Sequence, residues 1–191
     1  MEETGAARAT RAMGTMRTLR IAVVMQRLPL DNRWQPWQWR PLEIVEMDAS
    51  SLPDQAAPRC LLSSDAETRW LFGGFEVELF RDEAEGYFLN VDSPQPCWFI
   101  MWRMEEHDGE ADAIAVPKTV TLSYNEAARL MDGGERVEIL PAPPHIVGMM
   151  QSFVDEYYRP EAKGKRRKPS FEGGAGVDAM ARAEQDINRG S

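Results

Sequence analysis

Cysteine and histidine are scarce, with two of each in 191 residues. Cys60 and Cys97 have 36 residues between them, so they form neither a C-x-x-C pair nor a disulfide framework. Two reduced, buried thiols are expected, and Cys97 lies in the most apolar run, where a thiol is inert. A structural zinc site needs four ligands, and two separated cysteines with His107 and His145 do not assemble one. No apolar run approaches the roughly 20 residues that cross a bilayer, so no membrane partner is expected. Residues 1–17 lack the apolar stretch of roughly 7–15 residues that marks a signal peptide, and a cytoplasmic protein is expected. There is no G-x-S-x-G elbow, no local cysteine–histidine pairing, and neither Gly73-Gly74 nor Gly133-Gly134 extends into a phosphate-binding loop. The sequence therefore yields no catalytic residue, no cofactor and no metal site, and points away from an enzyme.

What is present is charge, unevenly spread. From Thr18 to Tyr158 there are 11 basic and 24 acidic residues, a net of −13. Arg159 to Lys168 holds six basic residues against Glu161, a net of +5. An acidic body disfavours broad contact with a phosphate backbone, so nucleic acid is not the expected partner. The run through Lys165, Arg166, Arg167 and Lys168 instead suits a solubilising tail, or docking on an acidic partner or on the acidic body itself.

Tryptophan is concentrated. Three of six lie between Asp31 and Arg40, in Asp-Asn-Arg-Trp-Gln-Pro-Trp-Gln-Trp-Arg. Such a segment either anchors a core or presents an adhesive surface, because each ring buries a large area when covered. Apolar alternation at Leu19, Ile21, Val23 and Met25 precedes it, and Trp37, Trp39, Leu42 and Ile44 follow, which reads as a hairpin. Trp37 and Trp39 share one strand face, with Gln38 and Arg40 opposite. Trp34, in the Asp/Asn/Pro turn, is expected to be exposed. Arg33 and Arg40 are placed to stack on the rings. Two readings stay open: Trp37 and Trp39 as core, or the cluster as an interface hot spot built on Arg33, Trp34, Trp37, Trp39 and Arg40.

Along the chain, residues 1–17 read as a disordered extension, with Met13 and Met16 as alternative starts. Residues 18–160 read as a single globular domain, and 161–191 as a disordered basic, Gly-rich tail. Pro41 predicts an edge or bulged strand, and Gly73-Gly74 predicts a bulge. Tyr87, Leu89 and Val91 alternate and read as a strand. Cys97 to Met104 is apolar on both faces and belongs in the middle of the structure. Glu105 to Asp112 reads as a solvated acidic loop carrying His107; it lacks the ordered ligand spacing of a calcium loop. Ser123 and Glu126 form a capping box that opens a short helix, with Gly133 as its left-handed cap. Pro143-Pro144 open a final helix with an apolar stripe at Ile146, Met149, Met150, Phe153, Val154 and Tyr157. The fold class expected is α+β and mainly β: an antiparallel sandwich or partly open barrel, with the short capped helix and the C-terminal helix packed on it.

Four stretches together resemble a bacterial family, domain of unknown function 3305. They are Ile21–Arg27 with Trp34–Arg40, then Tyr87-Phe-Leu-Asn90, then Leu122-Ser-Tyr-Asn-Glu-Ala-Ala-Arg-Leu-Met-Asp-Gly-Gly134, and the closing Phe153–Pro160 with its basic tail. The resemblance implies association with molybdenum-dependent formate dehydrogenases and names no catalytic residue. The expected function is thus a non-enzymatic accessory or assembly protein that binds a formate dehydrogenase subunit or a maturation factor. A small-ligand-binding module with an aromatic pocket is the second expectation, and an enzyme of unrecognised class the third.

Overall fold

The computed structural model describes residues 18–47, 57–108 and 112–160. Two antiparallel sheets carry the fold. The first has four strands in the order β2-β1-β4-β3: β1 (Thr18–Pro29), β2 (Trp37–Glu46), β3 (Arg59–Ser63) and β4 (Thr68–Glu78). The second has three in the order β6-β5-β7: β5 (Cys97–Glu105), β6 (Ile114–Thr121) and β7 (Val137–Pro141). Three helices complete it: α1 (Ala84–Val91) after a single 3-10 turn, α2 (Tyr124–Asp132) and α3 (Pro144–Tyr157). The chain is α+β and mainly β, with open sheets.

The strand patterns explain the sheets. β1 turns Ile21, Val23 and Met25 into the core, where Trp39 of β2 and Trp70 and Phe72 of β4 meet them. β5 is the central strand of its sheet and is buried on both faces from Cys97 to Trp102. Its Trp98, Ile100 and Trp102 join the same core, which α3 closes with Ile146, Met149, Met150, Phe153 and Val154. On the opposite face of β5, Cys97 and Phe99 pack with Ala127 of α2.

The proline and glycine signals fall where the ladders break. β2 is an edge strand, and its register with β1 shifts between Val24 and Met25, beside Pro41. The register of β1 with β4 shifts between Ile21 and Val23, opposite Gly73-Gly74, and Gly74 has φ +83°. Trp102 pairs with Pro117 at a third irregularity.

Three expectations are corrected. Tyr87, Leu89 and Val91 lie in helix α1, not a strand. Ala84, Tyr87, Phe88 and Val91 also fit the i, i+3, i+4, i+7 spacing, and that face wins because it meets the core while Leu89 points to solvent. The left-handed glycine ending α2 is Gly134, φ +83°, while Gly133 has φ −74°. Glu135 N–H donates to Leu130 O and Gly134 N–H to Met131 O, the paired bonds of a Schellman ending. Cys60 is exposed rather than buried; Cys97 is buried, which pushes its thiol pKa up.

Candidate functional site

The hairpin tip is held by its own backbone. Leu30 N–H donates to Pro36 O at 2.8 Å, closing the loop, and Trp34 N–H donates to Asn32 Oδ1 at 2.9 Å. These bonds turn Trp34 outward. It is 89% exposed, the most solvent-facing of the large apolar side chains among the described residues. The Arg33 guanidinium lies 5.9 Å from its ring centroid.

Below the tip the predicted residues separate onto two faces. Trp39 is core, and Trp37 is half-buried beside it. The cation that covers them is Arg27, not Arg40: its guanidinium is 4.5 Å from the Trp37 centroid and 5.8 Å from that of Trp39. Arg27 lies opposite Trp39 in the ladder, at the end of the parity that carries Ile21, Val23 and Met25. That parity was the available signal for it. Arg40 points from the other face, where its Nε donates to Gln26 Oε1 at 3.0 Å. Gln26 in turn donates to Glu67, which also accepts two bonds from Arg69, at 3.2 and 2.7 Å. Gln26 first and Arg69 second hold the Glu67 carboxyl below its usual pKa.

A second polar cluster was not read from the sequence. Ser123 caps α2 by accepting from Glu126 N–H, as the capping box predicts. The return arm is relayed: Glu126 accepts from Thr121 Oγ1, and Thr121 Oγ1 accepts from Ser123 N–H. Ser123 Oγ also donates at 2.6 Å to Glu83, a buried carboxylate that Arg129 pairs with. Asn90, 1% exposed, donates at 2.8 Å to both Cys97 O and Leu122 O and accepts from Cys97 N–H at 3.0 Å. These groups pin α1 to the end of β6, the start of β5 and the cap of α2. Bonded to one another and to the backbone, with Asn90 Nδ2 also 3.7 Å from Met150 Sδ, they form a structural clamp.

His107 is half-buried, with its ring edge-on to Trp70 at 5.2 Å, so it is packed rather than solvated. His145 is exposed and pairs with Glu46. No group of three or more His, Cys, Asp or Glu side chains suited to a metal ion occurs among the described residues. None of the described helices is long and apolar enough to cross a membrane. Lys165, Arg166, Arg167 and Lys168 lie outside the described residues, as do residues 1–17 and 161–191.

One groove accompanies these clusters. It has a volume of about 270 Å³ and runs between Leu42–Glu46 of β2 and Leu140–Pro143 at the end of β7. Its floor is apolar, with Trp98 the one aromatic side chain lining it, and Glu43 and Glu46 are exposed at its margin.

The family described as Protein of unknown function (DUF3305) matches residues 20–167. The chain belongs to that family. No curated protein and no solved structure gives a significant match. Within this family member, the resembling stretches sort by role in the fold: Asn90 and Ser123–Glu126 belong to the clamp, while Trp34 faces solvent.

Proposed function

We propose that this protein is a bacterial, cytoplasmic accessory or assembly factor that acts by binding another protein, with the Arg33–Trp34 tip as the contact. The observation that carries this is the exposure of Trp34 on a loop fixed by two internal hydrogen bonds. A tryptophan costs free energy in water, and a loop already ordered loses little entropy when it docks. Tryptophan and arginine together are the residues that dominate binding hot spots. Arg27 over Trp37 and Trp39 supplies a rigid base beneath the tip.

The partner proposed is a subunit of a molybdenum-dependent formate dehydrogenase, or a factor that matures it. Its support is the resemblance to the family. The test is capture from cells grown on formate, with mass spectrometry of the bound proteins. The full chain is expected to retain a formate dehydrogenase subunit or maturation factor, and the double variant Arg33→Ala, Trp34→Ala is expected to lose it while staying folded. Equal capture by the folded double variant would remove the tip from the reading. Capture of neither partner class by the full chain would overturn the formate dehydrogenase assignment.

A further inference from the structure

We propose that β3 is an association edge between two copies of this chain, which pair antiparallel across a two-fold axis at Leu62. β3 ends the order β2-β1-β4-β3 and pairs only with β4 among the described residues. The other outer strands are covered or guarded. β2 and β7 lie beside each other and line one groove, while β6 is mostly buried and carries Pro117. All five residues of β3 are exposed, as are Ser64, Asp65 and Ala66 after it, and no proline interrupts them. Leu61 and Leu62 are 46% and 39% exposed, so apolar side chains stand open on an edge that can still extend its sheet. Leu62 O accepts from the Cys60 thiol at 3.4 Å, a weak donor that a strand N–H would replace with gain.

The edge is complementary to itself, which selects a second copy as its occupant. Its register with β4 shifts between Cys60 and Leu62, so Arg59 and Leu62 share one face, opposite Leu71 and Arg69. A two-fold axis at Leu62 lays one Leu62 against the other and brings each Arg59 to the Ser64–Asp65 turn of the second copy. Arg59 and Asp65 make no ion pair with any described residue, so both charges are available. An isologous contact requires this self-matching, because residue i meets j while j meets i. Two bodies with a net of −13 across Thr18–Tyr158 repel each other, and the paired Arg59 and Asp65 set opposite charges together where the copies meet. Size sets the strength. A five-residue strand buries well below the roughly 1,200 Å² of a stable interface, so the dimer is weak and concentration-dependent.

The inference is independent of the tip and of what the tip binds. The tip joins β1 to β2, and β4 separates β3 from both. The test is sedimentation equilibrium of the full chain in reducing buffer, which excludes a disulfide through the exposed Cys60. Monomer–dimer exchange is expected between about 10 µM and about 1 mM, the affinity range of a small interface. Leu62→Lys sets two cations across the axis and should leave a monomer, with its urea midpoint unchanged because Leu62 is exposed. Arg59→Asp should weaken association by about fivefold or more, as expected for two exposed ion pairs lost together. Adding Asp65→Arg should restore it, since the exchanged charges again face each other. Trp34→Ala should associate as the parent chain does. A monomer at about 1 mM, an undiminished dimer in Leu62→Lys, no rescue by the charge exchange, or loss of the dimer in Trp34→Ala would each overturn the proposal.

Discussion

A β-carbon on Gly86 would lie 2.2 Å from Ser123 Oγ and 3.3 Å from Asn125 N. Helix α1 therefore meets the N-terminus of α2 at a distance only glycine allows. The gap is narrow because Ser123 must reach Glu83 across it while also capping α2. Glycine in a helix is ordinarily a cost, and here close approach is what it supplies.

Gly86→Ala is accordingly expected to destabilise the fold by about 1–3 kcal/mol, the range for overpacking a dense site, despite alanine's better helix propensity. Ser123→Ala removes the cap, worth about 1 kcal/mol, and also the bond to buried Glu83, so a loss of about 2 kcal/mol or more is expected. Combined, the two should cost less than their sum, since the alanine relieves part of the clash. Urea unfolding of the four proteins measures this, and strict additivity would show that the helices separate instead.

Asn90 is the other arm of this clamp. Replacing it with alanine strands Cys97 N–H, Cys97 O and Leu122 O in a buried site. One unpaired buried group costs about 1–3 kcal/mol, so a loss of about 3 kcal/mol or more is expected. Hydrogen exchange at the Cys97 amide should quicken in parallel. A loss under about 1 kcal/mol would mean that water replaces the amide.

Phe153 packs edge-on against Tyr87 at 5.6 Å and is buried. Phe153→Ala should cost about 3–5 kcal/mol in chemical denaturation, as for other core phenylalanines. A much smaller value would place the α3 stripe outside the core.

Two carboxylates should shift the pH dependence of stability in opposite senses. Burial raises the pKa of Glu138, against smaller opposing effects of Arg136, Trp102 and Arg40. Its native form holds the proton more tightly than the unfolded chain does. That contribution is complete below the ordinary value of 4.5 and fades as pH rises through the raised one. Glu67 is depressed, so its contribution is present above 4.5 and is lost as pH falls through the lowered value. Measured by urea midpoints from pH 3 to 7, Glu138→Gln should gain on the parent protein as pH rises, and Glu67→Gln should lose on it. The same slope for both would contradict the assigned environments.

Local chemistry determined most of the elements. Period-two alternation placed β1 and β2, a run apolar on both faces placed β5, prolines and glycines marked the irregular registers, and Ser123–Glu126 opened α2, because these signals act over a few residues of chain. The same alternation misread Tyr87–Val91. A short amphipathic segment fits period two and period 3.6 alike, and only docking against α3 and the bonds of Asn90 decide between them. Exposure of Trp34 followed from its turn, but the partner of Trp37 and Trp39 did not. Arg27 reaches them from the neighbouring strand, and that choice depends on a register the sequence does not spell out. The clamp of Glu83, Gly86, Asn90 and Ser123, like the groove between β2 and β7, joins residues tens of positions apart. Their meeting is set by how two sheets and three helices pack to bury one core, and only the tertiary structure decides it.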